Sequence, residues 1–105
     1  MDAVYILKED KAYTELYDKC DDVRGNILGV YATEDAAKKA AGACVDDLLK
    51  EYSDEDGLYK AEVVQCELVE GTPSVAVISV EINERDGDWT DRKITYSIER
   101  HAVQI

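Results

Sequence analysis

The sequence predicts an α+β domain over residues 1–105, in which one long helix packs across one face of a mainly antiparallel sheet, with elements in the order ββαβββ. Three observations lead there. Two segments rich in β-branched and aromatic residues open the chain, an alanine-rich stretch with apolar residues at helical spacing follows, and three more strand-like segments close it. The last three are separated by turn chemistry, so they form an antiparallel meander.

In chain order, "AVYILKE" (3–9) and "NILGVYA" (26–32) have strand composition. The connection from Asp10 to Gly25 is long for a hairpin, and Tyr13, Leu16, Tyr17 and Cys20 recur within it at helical spacing, as a short helix or ordered lid would require. Thr33 reads as an N-cap, with Glu34 and Asp35 in the first turn at the positive end of the helix dipole. From there to Tyr52, Ala37, Ala40, Ala41, Cys44, Leu48 and Tyr52 share a face with Val45 at its edge, while Lys38, Lys39, Asp46 and Lys50 turn away. Gly42 interrupts this helix at a cost of about 1 kcal/mol relative to alanine. Residues 58–70, 74–82 and 89–100 read as strands, divided by Gly71-Thr72-Pro73 and by the Asp86-Gly87 turn. Ala76, Ile78, Val80 and Ile82 line one face of the middle strand, and Ile94, Tyr96 and Ile98 one face of the last. Val75 and Val77 fall on the opposite face, so some further element or a second copy of the chain is expected to cover them.

Twenty-four acids against twelve bases give a formal charge of −12, which repels phosphate backbones and anionic bilayers. Direct nucleic-acid binding and membrane association are therefore not expected. The first residues lack the basic and apolar regions of a secretory signal, and Cys20, Cys44 and Cys66 have no ligand spacing and cannot all pair within one chain. A cytoplasmic protein with reduced thiols fits this pattern. Cys44 and Cys66 read as small core residues and Cys20 as an exposed loop thiol.

No motif carries catalytic chemistry. His101 is the single histidine, which excludes sites needing two imidazoles, and no Gly-rich phosphate loop or nucleophile elbow is present. "YSDEDG" and "NERDGD" resemble fragments of a calcium loop, but alignment on Gly57 puts Tyr52 and Val63 at the first and last ligand positions, and alignment on Gly87 puts Ile82 and Lys93 there. No metal or cofactor is expected.

The distinctive feature is a knot of acids at the wrong end of the helix. Asp46, Asp47, Glu51, Asp54, Glu55 and Asp56 gather where the dipole disfavours negative charge by a few tenths of a kcal/mol each. Solubility accounts for such a patch; so does recognition of a basic partner, since Tyr52 and Tyr59 flank it and tyrosine supplies contact area at low entropic cost. The expected function is thus a non-catalytic acidic protein-interaction module using Tyr52, Asp54, Glu55, Asp56 and Tyr59, with Trp89 beside the Asp86-Gly87 turn as a further contact. The alternative is a small-molecule enzyme or ligand-binding protein, compatible with a homodimer, whose pocket lies between helix and sheet and presents polar groups such as Tyr96, Glu62 or His101. An acidic mimic of nucleic acid would need carboxylates at phosphate-like spacing along one face, which the scatter of acids does not offer.

"GNILGVYATEDAAKKAA" followed by "DEDGLYKAEV", within residues 25 to 70, resembles small uncharacterised fungal proteins that share the Gly-Val-Tyr-Ala-Thr strand end, the Ala-rich helix and the acidic Asp-Gly-Leu segment. The resemblance implies a eukaryotic intracellular domain and carries no activity, ligand or catalytic residue with it.

Overall fold

Long strands of β-branched and aromatic residues build a five-stranded antiparallel sheet with a single helix across it. A computed structural model describes residues 3–13, 23–53, 57–68, 70–84 and 90–103. The elements are β1 (Ala3–Tyr13), β2 (Val23–Tyr31), α1 (Glu34–Glu51), β3 (Tyr59–Gln65), β4 (Ser74–Glu84) and β5 (Thr90–Ala102), in the sheet order β2-β1-β5-β4-β3. The expected ββαβββ order holds, and β3-β4-β5 is the expected meander. The last strand then returns to the first: β1 and β5 pair continuously from Ala3↔Ala102 to Tyr13↔Arg92, which puts β5 at the centre of the sheet.

Several boundaries differ from the sequence reading. β1 runs to Tyr13 and β2 starts at Val23, so both ends of the expected helical or lid-like connection are strand; residues 14–22, with Leu16, Tyr17 and Cys20, lie outside the described residues. β3 stops at Gln65, short of the expected 70: its pairing ends at Gln65↔Ile78, although β4 itself continues back to Ser74.

Thr33 caps α1 as its sequence position predicts: it is extended (φ −133°, ψ 154°) and its hydroxyl accepts from the Ala36 N–H at 3.1 Å. Glu34 also pairs with Lys38 one turn on, at 2.9 Å. Eighteen residues rise about 27 Å, and five strands span roughly 24 Å, so one helix reaches across the whole sheet. It touches all five strands. Ala37, Ala41 and Val45 are its buried residues, with Ala40, Cys44, Leu48, Leu49 and Tyr52 packed around them; Val45 thus lies at the centre of the stripe and not at its edge. Under it lie Leu7, Val80, Ile82, Ile94, Tyr96 and Ile98.

Among the described residues, four register shifts interrupt the ladders, two between β1 and β2 and two between β4 and β5. A register shift between Ser74 and Ala76 makes Val75 an extra residue in β4, and it packs against the core cluster. Of the two valines expected on the far face, only Val77 stays there, opposite Ser97. Gly71, at φ +84°, supplies the left-handed turn residue before β4.

The face away from the helix is covered by none of the described elements. Register places Val4, Ile6, Val64 and Val77 there among polar neighbours, with Ile27 and Val30 of β2 beside them, 56% and 58% exposed. At its centre Ser79 is fully buried (0% exposed), its hydroxyl 2.8 Å from Thr95 Oγ1 and 3.0 Å from Cys66 Sγ. Cys66 is therefore half-buried on this second face, not in the core beneath the helix.

Candidate functional site

The carboxyl end of α1 is satisfied locally. The Tyr52 N–H bonds the Leu48 carbonyl at 3.2 Å, and the Ser53 N–H and hydroxyl both donate to the Lys50 carbonyl, at 3.3 Å and 2.8 Å. The first is the last i→i−4 bond of the helix, and the two from Ser53 take up the Lys50 carbonyl, which the last turn leaves without an intrahelical partner. Lys50 is the one base in that turn, while Asp46, Asp47 and Glu51 are exposed, so water offsets the unfavourable placement of the acids.

Two of the sequence-predicted site residues come together here. Tyr52, at the helix end, and Tyr59, at the start of β3, line one open hollow of about 250 Å³ with Glu51, Gly57 and Leu58. Both tyrosines are half-buried against the core, so their rings are held by packing. Arg92, from β5, lies with Nη1 3.5 Å from the Tyr52 hydroxyl. Asp54, Glu55, Asp56 and Trp89 lie outside the described residues; by connectivity the three acids follow Ser53 and precede Gly57.

Leu58 was missed by the sequence reading. It is 74% exposed, the most exposed of the large apolar residues among those described. In sequence it merely opens a strand-like run; β3 begins one residue later, which leaves it on the rim of the hollow. An apolar side chain next to two anchored aromatics is the composition of a contact surface.

A second hollow, about 270 Å³, lies between α1 and the sheet, bounded by Ala41, Gly42 and Val45 above and by Ala76, Ile78, Tyr96 and Ile98 below. It exists because small residues face each other there. A Cβ on Gly42 would meet nothing within 4 Å, so the glycine is not a requirement of close packing. Of the polar groups expected in such a pocket, Tyr96 is present, 3% exposed, while Glu62 and His101 belong to the other face. Burial, followed by the Glu9 charge and a hydrogen bond to Glu9, raises the Tyr96 phenol well above the usual tyrosine range. The Lys38 ammonium at the rim is held by Glu34.

On the other face, Glu99 receives His101 Nε2 at 2.8 Å and Lys8 Nζ at 3.1 Å, and these partners, His101 first, lower its carboxyl pKa despite partial burial. Among the described residues, no group of three His, Cys, Asp or Glu side chains is placed to hold a metal ion, and no helix is long and apolar enough to cross a membrane. Comparison of the chain with family models, curated proteins and solved structures finds no match.

Proposed function

We propose that the protein is a non-catalytic interaction module that takes a short basic segment carrying an apolar residue at the carboxyl end of its helix. The observation behind this reading is the single hollow shared by Tyr52, Tyr59 and exposed Leu58, with Glu51 at its rim and Asp54, Glu55 and Asp56 in the adjoining chain. The tyrosines and Leu58 supply apolar contact, and the acids attract and orient a basic partner over the range that salt permits.

A titration monitored by Trp89, the only tryptophan, tests it with lysine- and arginine-rich peptides that carry one leucine. Saturable binding is expected, weakened at least about tenfold by Leu58→Ser and by joint change of Asp54, Glu55 and Asp56 to Asn, Gln and Asn. No saturable binding by any such peptide, or binding indifferent to both changes, would overturn the proposal.

The hollow beneath the helix supports a second reading, a site for a small apolar ligand. It ranks second on size and chemistry. Ligand pockets run from ~300 Å³ upward and place several polar groups to orient the ligand, whereas this one is smaller, nearly all apolar, and has the Tyr96 phenol engaged with Glu9 and Lys38 with Glu34.

A further inference from the structure

We propose that the sheet face opposite the helix is where a second copy of this chain docks, giving a two-fold dimer with the two sheets stacked face to face. The partner is argued from charge, area and hydrogen bonding.

The chain as a whole carries −12, so two copies repel each other unless they meet where that charge is absent. The open face is such a place. By register its acids are Asp10, Glu62, Glu81 and Glu99. Its bases are Lys8, Lys60 and Lys93, with Arg24 in one hollow beside Asp10, Lys93 and Thr95, which leaves the face formally neutral with His101 neutral. Much of this charge is matched locally: Lys8 to Glu99 at 3.1 Å and Lys60 to Glu62 at 3.0 Å, with Lys93 directly across from Glu81. A strongly basic partner would find little net attraction here and far more at the helix end, so the face discriminates in favour of its own copy.

Area points the same way. Five strands about 4.8 Å apart and 7 to 13 residues long make a face of roughly 800 Å², the amount that each partner buries in an interface of standard size. Val4, Ile6, Ile27, Val30, Val64 and Val77 provide its apolar content. Between them the small hydroxyls Ser79, Thr95 and Ser97 keep the centre low, so that a second sheet can approach to the usual ~10 Å. The Ser79 hydroxyl is already bonded to Thr95 and Cys66, and covering it strands no donor or acceptor. A two-fold arrangement uses the same patch on both copies and closes without leaving a sticky surface.

Sedimentation equilibrium from micromolar to millimolar protein tests the proposal. The wild type is expected to reach twice the 11.7 kDa chain mass, and the joint variant Ile27→Asp and Val30→Asp to stay at the single-chain mass while keeping its far-ultraviolet circular dichroism. Both positions are exposed on an edge strand, so the variant tests docking without disturbing the core; Val77→Asp, nearer the centre, is the second probe. Leu58→Ser is expected to remain dimeric, which separates this surface from the one at the helix end. A wild type that is monomeric at every concentration, or a dimer that survives in the folded β2 double variant, would overturn the proposal.

Discussion

Tyr96 concentrates much of the core's chemistry in one side chain. It is buried beneath the helix, lines the apolar hollow and meets Glu9, and burial is the main reason its proton is held tightly. A phenol whose pKa is raised in the folded state contributes stability below the unfolded value, near 10, that is lost as pH rises beyond it. Cys44 acts in the same direction from about pH 9, burial again coming before the charges of Glu9 and Asp47. Urea midpoints measured from pH 7 to 11 are therefore expected to fall on the alkaline side. Tyr96→Phe should cost about 1 kcal/mol at neutral pH and show a shallower alkaline decline than the wild type. Glu99 has the opposite sign. Its lowered pKa contributes stability above its unfolded value of 4.5, lost as pH falls through the folded one, so Glu99→Gln should flatten the acid limb of the same experiment.

At the scale of elements, α1 offers two tests of opposite sign. Thr33→Ala removes the hydroxyl that accepts the Ala36 N–H and is expected to lower stability by about 1 kcal/mol. Gly42→Ala is expected to raise it by about the same amount, since helical propensity improves and the new methyl meets nothing within 4 Å. Denaturant midpoints with an unchanged slope check both. The cap, the acidic first turn and most of the buried stripe were legible in residues 33 to 52, because the 3.6-residue period and capping chemistry act over a single turn. The strands were legible as segments but not at their ends: β1 continues through Asp10 and Lys11, which read as loop, because β5 supplies partners for that stretch from the far end of the chain. Val75 was misplaced for a similar reason, its face being decided by a bulge against β5 that alternation within β4 does not reveal.

For the whole molecule, the fold separates two surfaces of different electrical character. At the helix end Glu51 lines the hollow of Tyr52, Tyr59 and Leu58, and the sequence there adds Asp46, Asp47, Asp54, Glu55 and Asp56, while the far side of the described sheet is close to neutral. Salt should therefore act on them in opposite ways. Raising ionic strength is expected to weaken capture of a basic peptide at the helix end by screening its attraction, and to tighten self-association across the sheet by screening repulsion between two −12 chains. Peptide titration and sedimentation at low and high sodium chloride check the two effects separately.

The amino-acid order by itself determined the class of the fold, the succession of elements, the helix start and the acidic character, because composition, periodicity and turn chemistry are local. Tyr52 and Tyr59 could be named from it as a flanking pair. Their meeting around one hollow, the exposure of Leu58, the central position of β5 and a sheet face that none of the described elements covers came only with the folded chain. Each depends on contacts between segments far apart in sequence: the pairing that places residue 3 beside residue 102 is decided by competition among whole strands for partners, which no short stretch encodes.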